Sequence, residues 1–96
     1  MIEIRQTNEY VAWFEHLRDN VAKMRILIRI RRVSLANFGD VKPVGDGVSE
    51  LRIHYGAGYR VYFIRKGDTL VVLLGGGDKR TQSRDIQKAI ALSKTV

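Results

Sequence analysis

The chain contains no cysteine, which excludes disulfides, thiolate nucleophiles and cysteine-bound metals. Its two histidines, His16 and His54, are too few and too far apart in sequence to suggest a metal centre. No stretch approaches the roughly 20 apolar residues of a membrane-spanning helix, and the first residues alternate charged and apolar types with no continuous apolar segment of the signal-peptide kind. These absences lead to the expectation of a soluble, cytoplasmic protein with no membrane association, no metal and no other cofactor. Proline occurs once, at Pro43, so helix and strand have few interruptions.

Acids are also scarce. Seventeen Lys and Arg stand against ten Asp and Glu, a net charge of +7. Seven of the acids lie at or before Glu50, whereas Arg52 to Arg84 holds seven bases and only Asp68 and Asp78. An excess of this kind suits a polyanion or an acidic protein partner, or simply keeps the surface soluble. Ninety-six residues with 45% hydrophobic content are expected to form one domain over residues 1–96 around a single core.

Along the chain, Ile2 to Arg5 alternates with period two, as a short strand does. Thr7 or Asn8 can cap a helix in which Tyr10, Trp13, Phe14 and Leu17 form one apolar face as far as about Arg18. Asn20 can cap a second helix over Val21 to Asn37. That helix carries two apolar arcs, Ala22, Ile26, Ile30 and Val33 on one and Met24, Ile28 and Leu35 on the other, with Arg25, Arg29 and Arg32 between them. Such a helix is either covered on both sides or keeps one arc for a partner. Val41 to Asp46, with Pro43 and Gly45, reads as a loop.

Three strands follow. In Ser49 to Tyr55, Leu51 and Ile53 alternate with Glu50, Arg52 and His54; in Tyr59 to Arg65, Val61 and Phe63 alternate with Arg60, Tyr62 and Ile64. Thr69 to Leu74 is apolar throughout, as a strand buried on both faces would be, and Gly75 to Gly77 is expected to end it. A last helix begins near Ser83 or Asp85. The order β-α-α-β-β-β-α indicates an α+β domain: a mostly antiparallel sheet with helices packed on one face.

The candidate chemistry is metal-free RNA cleavage, in which a 2′-hydroxyl attacks the adjacent phosphate while protein groups move protons and stabilise charge on the phosphorane. Arginine suits the last task because its planar, permanently charged fork meets two phosphate oxygens. Alternation places Arg52 and Arg60 on the same sheet surface, and the glycine turn could bring Lys79 and Arg80 to it. His54 shares the alternation of Arg52 and is the residue type best suited to proton transfer near neutral pH. Tyr62 could stack a base, and Gln82 and Arg65 are further candidates for RNA contact. Basic residues and a single histidine on an open sheet face are more often simply solvated.

Several spaced blocks resemble a known family. ELRI (Glu50 to Ile53), GAGYRVYF (Gly56 to Phe63) and LLGGGDKRTQSRDI (Leu73 to Ile86), with RILIRIRRVSLANFGDVKPVGDGV upstream (Arg25 to Val48), resemble the phage-Gp49-like, HigB-type addiction-module killer proteins of the RelE/ParE toxin superfamily. The resemblance implies a RelE-like β-α-α-β-β-β-α fold and a type II toxin that is neutralised by a cognate antitoxin, usually one with a helix-turn-helix DNA-binding domain. It also implies a ribosome-dependent, metal-independent endoribonuclease, an mRNA interferase whose partners are the ribosome and mRNA. By this resemblance Arg60 of the GYR block is the phosphate-binding residue, with Arg52, Lys79 and Arg80 as the other basic positions. Many relatives also carry a Tyr or His near the C-terminus, and this chain has none after Gln82, so general acid and base are left unassigned. The alternative readings are a ParE-like gyrase inhibitor and a non-catalytic RNA-binding domain.

Overall fold

The structure, a computed structural model, describes residues 1–96. Strand β1 (Glu3–Gln6) leads through helices α1 (Asn8–Glu15) and α2 (Asn20–Ser34) to strands β2 (Val41–Gly45), β3 (Val48–Ile53), β4 (Tyr59–Lys66) and β5 (Leu70–Gly77); a single 3-10 turn, Lys79–Thr81, then opens into helix α3 (Gln82–Ser93). The five strands form one sheet in the order β1-β5-β4-β3-β2. Only the β1·β5 pair is parallel. The α+β architecture with a mostly antiparallel sheet is therefore the one expected, with one strand more.

The added strand is β2, where the sequence reads as a loop. Pro43 lacks an N–H and is tolerated because β2 lies at the sheet edge. The link from β2 to β3 passes through Asp46 and Gly47, both at positive φ, a conformation open to Gly and tolerated by Asp.

Helix α1 starts at Thr7, whose hydroxyl oxygen accepts from the Tyr10 N–H at 3.1 Å and whose O–H donates to the Leu73 carbonyl at 2.8 Å. One side chain thus caps the helix and ties it to β5. The ring of Tyr10 is buried and packs near Trp13 and Phe14, with ring centroids 5.9 and 6.0 Å away. Helix α2 is capped by Asp19, which accepts from the N–H groups of Val21 and Ala22, so the cap lies one residue before the expected Asn20. Its Ala22, Ile26 and Val33 enter the core, and each fully buried aliphatic side chain of Val or Ile size contributes about 1.5–3 kcal/mol. The second arc of α2 faces outward.

The expectation that all helices pack on one face needs correction. Leu51, Ile53, Val61, Phe63, Val71 and Leu73 form a cluster with Tyr10, Ile26 and Val33 of α1 and α2. The opposite face of the same strands supplies Val48, Tyr62, Val72 and Leu74, and these pack with Ala89, Ile86 and Ile90 of α3. Helix α3 covers this second face because the alternate positions of β3 and β4, though they include charged residues, also carry Val48, Tyr62 and Ile64. Strand β5 is buried on both sides, as its apolar run implies.

The three glycines do not end β5. They lie in it, paired with Arg60, Val61 and Tyr62 of β4 after a register shift. A Cβ on Gly76 would come within 2.4 Å of the Trp13 ring, and one on Gly77 within 1.8 Å of Asp85. Helices α1 and α3 approach the sheet from either side at these positions, and only a residue without a side chain fits between them.

Candidate functional site

Arg52 and Arg60 are direct cross-strand partners in β3 and β4. Both lie on the α3 side of the sheet, near the end where α3 begins. Like charges placed opposite one another repel, so this arrangement needs compensation. Arg60 receives it from Glu50: Nη1 lies 3.5 Å from Glu50 Oε1, with the carboxylate 1% exposed. The Tyr62 hydroxyl donates to Glu50 Oε2 at 3.1 Å, and the Gln82 amide donates to the same oxygen at 2.8 Å. Burial, followed by the charge of Glu50 and the hydrogen bond to it, pushes the Tyr62 phenol well above its ordinary range, so it remains a donor.

Arg52 is compensated less closely. Its Nε is 4.0 Å from Asp40 Oδ2, and the same carboxylate oxygen is hydrogen-bonded to His54 Nε2. That hydrogen bond, and then the charge of Arg52, holds the Asp40 carboxyl below its usual range. Arg29 of α2 fixes the segment that presents Asp40: its guanidinium donates to the carbonyls of Phe38 (3.0 Å), Asp40 (3.2 Å) and Arg52. Burial lowers the Arg29 pKa from its ordinary value, yet its three carbonyl acceptors favour the charged form.

These groups line an open cleft of about 580 Å³ formed by Arg52, His54, Tyr55, the Gly56-Ala57-Gly58 turn, Arg60 and Lys79. Gly58 is at φ +77 with Lys79 Cβ close against it, and the Lys79 N–H donates to the Ala57 carbonyl at 3.3 Å. The turn between β3 and β4 therefore holds the basic residue that follows β5. The lining contains three basic side chains and no carboxylate. Arg52 Nε and Arg60 Nε are buried donors with no hydrogen-bond partner in the protein. A basic lining with no carboxylate in it favours an anion in the cleft. No three His, Asp or Glu side chains converge anywhere in the chain, and no helix is long and apolar enough to cross a membrane.

The structure brings Arg52, His54, Arg60 and Lys79 together and separates the other candidates. Arg80 folds back on Asp78, with Nη2 to Oδ2 at 3.0 Å, and lines a different hollow with Arg84 and Gln87. Tyr62 is fully buried and cannot stack a base. Gln82 is engaged with Glu50 beneath the cleft. Arg65 lies at the far end of β4, its guanidinium 4.8 Å over the Phe38 ring on the opposite face. Arg60 itself is only 7% exposed and not on the open face that strand alternation suggests, because the start of α3 covers it.

Sequence reading missed Glu50, Asp40 and Arg29 as parts of the site. Period two already put Glu50 on the same side as Arg52, and an acid on a strand between the core residues Val48 and Leu51 is the signal that would have revealed it. Asp40 and Arg29 reach the cleft from a loop and a helix, and no local pattern links them to β3.

A model of the family described as phage derived protein Gp49-like matches residues 12–94. A Haemophilus influenzae protein, described as an uncharacterized protein, is 46% identical over 93 residues, which cover 97% of this chain and 94% of that relative. No solved structure matches the chain.

Proposed function

Because the chain belongs to the phage-derived Gp49-like family, we propose that it is a RelE/HigB-like toxin of a type II toxin-antitoxin pair. Its activity is ribosome-dependent, metal-independent endonucleolytic cleavage of mRNA in the cytoplasm, and it is held in check by a cognate antitoxin. One observation carries this reading: two cross-strand arginines and Lys79 line a cleft with no carboxylate among its lining residues.

In this mechanism Arg60 and Arg52 grip the scissile phosphate, with Lys79 at the rim adding charge. Glu50 orients Arg60 and does not itself reach substrate. His54 at the cleft wall, hydrogen-bonded to Asp40, takes the proton from the 2′-hydroxyl, a base held by an orienting carboxylate. The 2′-oxygen forms a bond to phosphorus, the bond from phosphorus to the 5′-oxygen breaks, the leaving oxygen takes a proton from solvent water, and His54 returns the proton it took to solvent. The products are a 2′,3′-cyclic phosphate and a 5′-hydroxyl. Preorganised cations stabilise the phosphorane without reorganisation cost, which is the largest contribution such a site offers. The hydrogen bond to Asp40 supports His54 in this role.

The test is induced expression followed by mapping of mRNA 5′ ends. Prompt loss of translation with new 5′-hydroxyl ends inside coding regions supports the reading. Induction of a DNA-damage response with intact mRNA supports the gyrase-inhibitor alternative instead, and neither effect leaves a non-catalytic RNA-binding domain.

A further inference from the structure

Larger than the basic cleft is a groove of about 630 Å³ between α1 and α3. It exists because β5 outruns its neighbour. Strand β1 ends at Gln6, opposite Leu73, while β5 continues to Gly77. Thr7 turns the chain into α1 at that point, its hydroxyl held by the Leu73 and Leu74 carbonyls. The edge of β5 from Leu74 to Gly76 therefore has no strand beside it and becomes a wall of the groove, with Trp13 of α1 and Ala89 and Leu92 of α3.

Gly75 lies in this wall. Trp13 and Asp85 require glycine at 76 and 77, whereas a Cβ on Gly75 would meet nothing within 4 Å. Its φ is not positive either, so neither packing nor backbone conformation calls for glycine there. What the missing side chain leaves is depth in the groove. The charges differ from those of the rest of the chain. Glu9 lines the groove from α1 and Asp85 from α3, against the single base Lys88, in a protein of net charge +7. Neither acid forms an ion pair, and Asp85 accepts a hydrogen bond from the Thr81 hydroxyl.

We propose that this groove binds a small organic amine, a monocation with a compact apolar body. The body rests over Gly75 against Trp13, Leu74 and Leu92, and the ammonium lies between Glu9 and Asp85. Apolar walls with aromatic surface and a few placed polar groups are the usual make-up of small-ligand sites, and the volume falls within their range. An aromatic wall also favours a cation. Two carboxylates against one base oppose an anion. A fully polar ligand leaves the apolar wall unmatched, and a peptide strand needs a longer free edge than Leu74 to Gly76. The groove shares no lining residue with the cleft, so the proposal does not depend on the nuclease reading. It does reach the first turn of α3, the helix whose Gln82 holds Glu50 beneath Arg60.

Trp13 is the only tryptophan, so its fluorescence reports on the groove directly. The test titrates full-length protein with phenethylamine, beside hydrocinnamate and phenethyl alcohol, which carry the same ring with an acid or a neutral end. Amide NMR of Gly75 and Gly76 locates the binding. The amine is expected to change Trp13 emission and shift both glycines, and to bind roughly tenfold or more tightly than the acid. Gly75→Leu, checked for native fold by circular dichroism, fills the groove and is expected to weaken the amine roughly tenfold. Glu9→Gln, at an exposed position that leaves the fold intact, is expected to weaken it roughly threefold and decides the matter alone if Gly75→Leu misfolds. The proposal is overturned if millimolar amine leaves Trp13 and both glycines unmoved, or if the acid or the alcohol binds as tightly as the amine. Undiminished amine binding by folded Gly75→Leu, or by Glu9→Gln, overturns it equally.

Discussion

Glu50 Oε1 lies 3.5 Å from Arg60 Nη1, with side-chain exposures of only 1% and 9%. Replacing Arg60 with Ala would be the obvious way to disable the cleft without disturbing the fold. The pairing shows otherwise. Removing one partner of a buried ion pair strands the other charge and costs about 3–5 kcal/mol. Arg60→Ala is therefore expected to unfold at markedly lower urea, and Glu50→Leu combined with Arg60→Met to recover a substantial part of the loss. Equal stability of Arg60→Ala and the parent would show that the pair does not hold the fold.

Arg60→Lys separates charge from geometry. It keeps a cation beside Glu50 but lacks the planar fork that meets two phosphate oxygens. Stability near the parent with cleavage reduced roughly a hundredfold is expected, measured by urea unfolding beside a ribosome-dependent cleavage assay. Undiminished cleavage would remove the bidentate grip from the mechanism.

Asp40 links the cleft to pH. Its native pKa is depressed, first by the hydrogen bond from His54 and then by Arg52. The unfolded chain consequently binds that proton more readily than the native one. The stability conferred by the contact is whole above the ordinary carboxylate range and is lost as pH falls through the native value. Carboxyl-carbon NMR of Asp40 is expected to give a midpoint below that of a model-peptide aspartate, and His54→Ala to raise it. A midpoint unmoved by His54→Ala would break the pairing.

The glycines make a sharper structural prediction. A Cβ at Gly76 meets Trp13 and one at Gly77 meets Asp85, while at Gly75 nothing lies within 4 Å. Gly76→Ala and Gly77→Ala are each expected to cost about 1–3 kcal/mol, the usual penalty for overpacking. Gly75→Ala is expected to stay close to the parent. Thermal unfolding of the three variants checks the order.

These glycines also mark how far the sequence was legible. Alternation in Leu51/Ile53 and Val61/Phe63 correctly assigned the core face of β3 and β4, and the unbroken apolar run of Thr69 to Leu74 correctly implied burial on both sides. That double burial already required a cover on the second face, which is α3. The glycine triplet was misread because punctuation and close packing look alike in one dimension; only Trp13 and Asp85 tell them apart. Strand β2 was hidden by Pro43, whose missing N–H matters only in an interior strand. In the cleft, Arg52, His54 and Arg60 were legible from strand parity. Lys79 joins them through the Ala57 carbonyl, and Asp40 and Arg29 join through the loop after α2, contacts that depend on tertiary structure.

The paired arginines of the cleft are proposed to cut mRNA on the ribosome. Purified ribosomes programmed with a defined message test it most directly, using parent protein and Arg52→Ala, whose partly exposed side chain can be removed with the fold kept. Cleavage with a 5′-hydroxyl product is expected from the parent when ribosomes are present, none on free RNA, and a loss of roughly a hundredfold in Arg52→Ala. Equal cleavage by the two proteins, or none by a folded parent on translating ribosomes, would contradict it.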